Sequence, residues 1–178
     1  MKTSSCEKRI TEIASPVPDM RILDALAAFG LLAPTGKPIS DLPAHLAGKR
    51  VGLYFSAGWC PMCTNFEPAL MKFRDDCAQN DAPIELLYVP SDRSAADALK
   101  RAKALDCAMV PFEHADSMKK QYKVWAGSEA MKLGLGRRSG VPAIVVVGPD
   151  DGSELAFVDA ERRGPQALQK WDLSSGVF

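Results

Sequence analysis

Apolar residues recur at helical spacing through MRILDALAAFG and stop at Gly30, which predicts a helix from about Asp19 to a glycine end. LLAPTGKPISDL then predicts two short strands about a Pro-Thr-Gly turn, and LPAHLAGK a turn-rich link. RVGLYFSA, residues 50–57, is a short apolar run of strand formers between Gly48 and Gly58. Helical spacing returns in CPMCTNFEPALMKFRDDCAQN through Phe66, Leu70, Phe73 and Cys77. Pro61 suits the first helical turn, where its missing N–H is no loss, and Pro68 predicts a kink. IELLYVPS (84–91) reads as a buried strand and SAADALKRAKAL (94–105) as a helix. Residues 114–133 read as a third helical region, with a break at Gly127. AIVVVG (143–148), the turn PDDGS and ELAFVDA (154–160) form a hairpin pattern, and GPQALQKW (164–171) a closing helix with Pro165 in its first turn.

Strand, helix, strand, helix, hairpin and closing helix describe one α/β domain whose sheet is covered on both faces. Residues 1–19, ending in SPVPD, read as a mobile N-terminal arm, and residues 20–178 as the domain. The chain of 178 residues is long enough to bury a substantial core without staples. Its 22 basic and 22 acidic residues cancel, so no global field draws it to nucleic acid or anionic lipid. No stretch approaches the roughly 18 consecutive apolar residues of a membrane span. The first twenty residues are charged where a secretory signal is apolar, and a cytoplasmic location is expected.

Five cysteines form an odd, sparse set, unlike a secreted disulfide framework. Two of them, Cys60 and Cys63, stand in SAGWCPMCTNF at the junction of a strand and a helix. A cysteine attacks a disulfide as thiolate, and a helix N-terminus favours negative charge through its dipole and its unpaired N–H groups. Cys60 therefore reads as the exposed, activated thiol, and Cys63, one turn in, as the resolving thiol. Other readings fit less well. A structural zinc site needs about four ligands, but the other cysteines are isolated and His45 and His114 belong to no ligand pair. Two buried structural thiols would leave Trp59, Pro61 and the strand-to-helix position unexplained. No metal and no external cofactor are expected.

The block LAGKRVGLYFSAGWCPMCTNFEPALMKF resembles the thioredoxin superfamily, most closely its tryparedoxin and nucleoredoxin branch. ELLYVPSDRS, MVPF and VPAI at 141–144 extend the resemblance from about residue 22 to 171. It implies a thioredoxin-like fold, a central mixed β-sheet flanked by helices, behind the N-terminal extension. It also implies a thiol–disulfide oxidoreductase that reduces protein disulfides, with Cys60 as nucleophile and Cys63 as resolving cysteine. Trp59, Pro61 and Met62 would offer the surface beside the disulfide. Pro142 would be cis and face the pair, and Val141 would pair through its backbone with an extended substrate segment. In this branch a small dithiol, trypanothione among them, or a reductase donates electrons, and a disulfide-containing protein such as a peroxidase accepts them. The alternative is a redox-sensitive binding module of nucleoredoxin type with little turnover.

Some positions depart from the branch's pattern. Met62 replaces a proline, Thr64 an arginine and Cys107 a tryptophan, and the segment 125–140 is longer. Tyr54 occupies the place where thioredoxins proper keep a buried acid, which leaves water or Glu67 to take the proton of Cys63. Glu67 itself reads as a solvated helix residue, and Lys119, Lys120 and Lys123 as a solvated helix face. Arg137 and Arg138 read either as rim charges able to steer an acidic partner or, equally well, as solvated loop arginines. LGLGRRSG lacks the third glycine of a dinucleotide motif. Cys6, Cys77 and Cys107 read as structural or incidental.

Overall fold

The computed structural model describes residues 22–149 and 152–178, so the proposed arm at 1–19, with Cys6, lies outside the described residues. Among the described residues seven α-helices and five strands follow in chain order: α1 (Ile22–Phe29), α2 (Leu42–Leu46), β1 (Arg50–Ser56), α3 (Pro61–Gln79), β2 (Ile84–Pro90), α4 (Ala95–Ala104), β3 (Ala108–Met109), α5 (Ala115–Tyr122), α6 (Ala130–Leu133), β4 (Ala143–Val147), β5 (Glu154–Val158) and α7 (Ala160–Arg163). Short 3-10 helices cover Phe112–His114, Gly127–Glu129 and Gly164–Lys170.

The sheet order is β3-β2-β1-β4-β5. β1 and β2 are parallel, as are β2 and β3, whereas β1 with β4 and β4 with β5 run antiparallel. Strand alternation sends Leu53, Phe55, Leu87, Val89 and Val145 to one face, beneath α1, α2 and α5. Tyr54, Leu86, Tyr88, Ile144 and Val146 fill the other face, against α3, α4 and the C-terminal turn that carries Trp171. Each such side chain, fully buried, contributes about 1.5–3 kcal/mol. Gly52 in the central strand has no room for more. A Cβ there would lie 2.5 Å from Trp171 Cη2 and 2.9 Å from Ile144 Cγ2.

Several sequence expectations needed correction. LPAHLAGK is not merely a link: Asp41 caps the short helix α2 by accepting from the Ala44 N–H, and Pro43 sits in its first turn. The two strands predicted about Pro34–Gly36 reduce to an isolated bridge between Leu32 and Pro38. β3 was not foreseen, because two residues are too few to carry a period. The region 114–133 does divide at Gly127, but α5 already ends at Lys123, which adopts the left-handed conformation at φ 56°. The closing helix is wound as a 3-10 turn, preceded by α7, which Asp159 caps.

Candidate active site

β1 delivers the chain to the site, and β4 brings the opposite wall. Because β4 runs antiparallel to β1 with Phe55 opposite Ala143, the residues just before β4 lie beside those just after β1. Val141 thus meets Cys60: its carbonyl is 3.9 Å from Cys60 Sγ, and the bond that follows it, Val141–Pro142, is cis. Cys60 is the N-cap of α3, its side chain is spent on no cap bond, and Pro61 opens the helix. Cys60 is 7% exposed and Cys63 0%, so the expectation of an exposed Cys60 is corrected: both cysteines are buried, because the strand end and the loop before β4 close over the helix start, and Cys60 is the less buried of the two. Both are free thiols. Beside them Trp59 and Met62 stand out at 39% and 50% exposure, and Pro61 is exposed as well.

Burial pushes the Cys63 thiol up to about 12, since a thiolate there would lose its water. The Ser56 hydroxyl works in the other direction. It is buried without a settled partner, which leaves it free to turn toward a Cys63 thiolate.

The loop after β2 fastens the tryptophan. Trp59 Nε1–H donates to the Ser91 carbonyl at 2.8 Å, and the Gly58 N–H donates to Asp92 Oδ1 at 2.8 Å. Tyr88 donates its hydroxyl to the other Asp92 oxygen at 2.6 Å. The Arg93 guanidinium lies 5.8 Å from the centre of the Trp59 ring, within cation–π reach. Nothing in the stretch ELLYVPSDRS signals this bracing.

Two residues expected in solvent are buried. Glu67, at 4% exposure, stands one helical turn beyond Cys63 on the same face of α3 and forms an ion pair with Arg101 of α4. Tyr54 donates its hydroxyl to Glu67 at 3.4 Å. Lys119, at 2% exposure, donates to Glu129 at 2.5 Å and lies 3.8 Å from Asp116. Glu129 also accepts from the Ser91 hydroxyl and the Ala126 N–H, at 2.7 and 2.9 Å, which ties the long segment to the loop that holds Trp59. A spacing-based reading placed both on wet helix faces, because their partners lie 34 and 10 residues away in the chain. Lys120 and Lys123 are exposed, as expected of a solvated face.

The two arginines of the long segment are bound within the domain. Arg137 donates to the Trp125 carbonyl at 2.9 Å, and Arg138 donates to both Glu154 oxygens and covers the Phe157 ring at 4.0 Å. They act as braces, which removes the reading of free rim charges. Cys77 and Cys107 are buried, and burial pushes the Cys107 thiol up to about 12. Among the described residues no three His, Cys, Asp or Glu side chains converge as a metal site. No described helix is long and apolar enough to cross a membrane.

A family model described as thioredoxin-like matches residues 48–154, more than half of the chain. The chain belongs to the thioredoxin-like family. Within it, the similarities point to the tryparedoxin and nucleoredoxin branch. The chain is 29% identical over 125 residues to a protein named "Probable nucleoredoxin 2" of Oryza sativa subsp. japonica, an alignment covering 70% of this chain but only 28% of that protein. It is 27% identical over 110 residues to tryparedoxin of Trypanosoma brucei brucei, covering 61% of this chain and 67% of the other. Among solved structures, tryparedoxin II from C. fasciculata superposes with a TM-score of 0.63 at 24% identity, over 86% of this chain and 95% of that one. A tryparedoxin II complexed with glutathionylspermidine superposes with a TM-score of 0.55 at 26% identity, over 71% and 78%. The thioredoxin-like fold, with its five-stranded mixed sheet flanked by helices, is therefore that of the family. Thioredoxin-like proteins are in general thiol–disulfide oxidoreductases.

Proposed function

We propose that this domain reduces protein disulfides by thiol–disulfide exchange through Cys60 and Cys63. The observation that carries the reading is the placement of Cys60, at the N-terminus of α3, with Val141 and Pro142 against it and a buried Cys63 one turn behind. Cys60 thiolate attacks one sulfur of R–S–S–R′, a Cys60–S–R bond forms, and R′–S⁻ leaves and takes a proton. Cys63 then loses its proton and attacks Cys60 Sγ. The Cys60–Cys63 disulfide closes, R–S⁻ leaves, and two electrons have passed to the substrate.

The second step is the demanding one, because Cys63 holds its proton tightly. Tyr54 and Glu67 supply a buried hydroxyl and carboxylate near it, with Arg101 balancing the charge. Trp59, Pro61 and Met62 form the partner-facing surface, and the backbone of Val141 pairs with an extended substrate segment in the manner of strand addition. The acceptor in this reading is a disulfide-containing protein such as a peroxidase. The donor is a small dithiol, trypanothione being one, or a reductase, and the setting is the cytoplasm.

A second reading is a redox-sensitive binding module with little turnover. It is favoured by the nucleoredoxin similarity and by the apolar side chains left in solvent, Met62 and, on the long segment, Met131 and Leu135. Insulin-disulfide reduction with dithiothreitol separates the two. Catalytic turnover supports the reductase, whereas stable capture on a Cys63→Ser variant without turnover in the wild type supports the module.

A further inference from the structure

Beside Trp59 a cleft of about 430 Å³ opens between the loop after β2 and α4, lined by Gly58, Trp59, Arg93, Asp97, Lys100 and Arg101 among others. A second, smaller hollow on the other side of Trp59 is lined by Arg93, Ser128 and Glu129 with the same loop. The first is of the size that takes small molecules. By formal charge its walls are nearly balanced, but most of that charge is already used.

Both oxygens of Asp92 are held, one by the Gly58 N–H and one by the Tyr88 hydroxyl. Arg101 is ion-paired with the buried Glu67. Glu129 accepts from Lys119, Ser91 and the Ala126 N–H. Asp97 accepts from the Ser94 hydroxyl at 2.7 Å, on its own helix cap. Arg93 and Lys100 are different: both are exposed, and neither has an acidic partner within 4 Å among the described residues. Asp92 and Glu129 are tied inward and Asp97, though exposed, is engaged at its helix cap, so the charges that face the cleft without a bonded partner are the two cations.

We infer that this cleft is a subsite for a carboxylate-bearing thiol or disulfide of about tripeptide size, held by Arg93 and Lys100 while its sulfur reaches Cys60. The inference rests on the reductase reading and narrows it to a substrate class. A disulfide that carries amines in place of carboxylates, as cystamine does, meets the wrong charge here. Arg93 has a second qualification, since it lines both hollows and lies 5.8 Å from the ring of Trp59, the residue next to Cys60 in the chain.

The test uses the full chain, pre-reduced and freed of reductant, and follows its oxidation by tryptophan fluorescence in a single turnover. In each reaction two electrons and two thiol protons pass from the Cys60–Cys63 dithiol to R–S–S–R, giving two R–SH. The probes are oxidised glutathione (anionic), cystamine (cationic) and hydroxyethyl disulfide (neutral), the last as the internal reference that cancels any general loss. The ratio of the glutathione rate to the cystamine rate is expected to fall at least about fivefold in Arg93→Glu/Lys100→Glu, with a smaller fall in added salt, as exposed charges require. An unchanged ratio overturns the subsite. So does a change seen only with an acidic disulfide-bonded protein, because the site would then be a protein-docking surface. S-methylglutathione, which cannot exchange, gives a readout that does not need the chemistry. It should perturb the Trp59 indole resonance in the wild type and not in the double variant, and equal perturbation in both is a negative result. If the wild type turns over insulin disulfides but reduces none of the three, the subsite is overturned; if it does neither, the reductase reading fails, while the S-methylglutathione measurement still decides the subsite.

Discussion

Glu67 and Arg101 form an ion pair beneath the Cys60–Cys63 helix turn, with Arg101 Nε donating to Glu67 Oε1 at 3.1 Å and the Tyr54 hydroxyl close to the same oxygen. The pair joins α3 to α4 at the floor of the cleft beside Trp59. Its two members differ in surroundings: the Glu67 side chain is 5% exposed and that of Arg101 23%. A carboxylate so placed is sustained by its partner. Removing one member of a buried pair costs about 3–5 kcal/mol, and less when the survivor can reach water.

Glu67→Gln keeps the shape and one acceptor but leaves Arg101 without its counter-charge. Because Arg101 is partly wet, the expected loss of stability is about 1–3 kcal/mol, read from urea unfolding of the oxidised protein. The same variant is expected to slow release of the mixed disulfide, leaving the first attack by Cys60 little changed. Rapid-quench trapping of the Cys60 adduct measures this. An adduct that resolves at the wild-type rate would remove Glu67 from the proton path and leave it a structural ion pair.

The thiol of Cys63 yields a pH prediction with a definite sign. Burial disfavours its thiolate, so its pKa rises from the ordinary thiol value to about 12. Near neutral pH Cys63 is thus held protonated. Iodoacetamide near neutral pH should therefore label Cys60 in the folded, reduced protein and spare Cys63, as peptide mass spectrometry will show. A raised thiol pKa also stabilises the reduced fold below the ordinary thiol range, and that contribution is lost as pH climbs through it toward 12. The melting midpoint of the reduced protein should fall over that range, and less steeply in Cys63→Ala. Labelling of Cys63 ahead of Cys60 would reverse the assigned roles.

Lys119 offers a test of how the long segment is held. Its ammonium is buried between Glu129 and Asp116, and Glu129 in turn meets the Ser91 hydroxyl, whose own carbonyl accepts from Trp59. Lys119→Met fills similar volume without charge and leaves Glu129 with only its two lesser donors. We expect a loss of about 2–3 kcal/mol, and less than the additive loss in Lys119→Met/Glu129→Gln, where neither charge is stranded. The exposed tryptophan should report the change as well, through altered fluorescence of Trp59. Additive losses in the double variant would mean the two residues do not act as a pair.

The strands around the site, β1, β2 and β4, were legible because each is five or more residues long and mostly apolar, and the turn holding the two cysteines because its chemistry is local to residues 59–63. β3 was not, since two residues carry no period and are held by pairing with Leu87 and Tyr88. α2 was read as a link because Pro43 and Gly48 signal turns, although the Asp41 cap outweighs them. Glu67 and Lys119 show the deeper limit. On a helix a charged residue reads as solvated unless its partner is known, and here Arg101 and Glu129 arrive from other elements. The braces on Trp59 are hidden for the same reason: a backbone carbonyl at Ser91 carries no sequence signature.

Gly52 provides the last prediction, and it concerns the strand that carries the site. Its backbone needs no glycine for its angles, as it lies within β1 and its φ is not positive. The requirement is space alone. An added Cβ would come within 2.5 Å of Trp171 Cη2 and 2.9 Å of Ile144 Cγ2, closer than carbon atoms pack. Ile144 belongs to β4, the neighbouring strand, and cannot retreat without moving the sheet. Trp171 is buried against Phe73 of α3, with ring centres 5.8 Å apart, so it cannot swing away either. Gly52→Ala should therefore cost at least about 1–3 kcal/mol as overpacking, despite the better strand propensity of alanine. A Gly52→Ala/Trp171→Phe double variant should recover part of the loss, because the smaller ring opens the space the methyl needs. Urea unfolding midpoints of the three proteins decide the matter. If Gly52→Ala alone is as stable as wild type, the contact with Trp171 is not the reason this position holds a glycine.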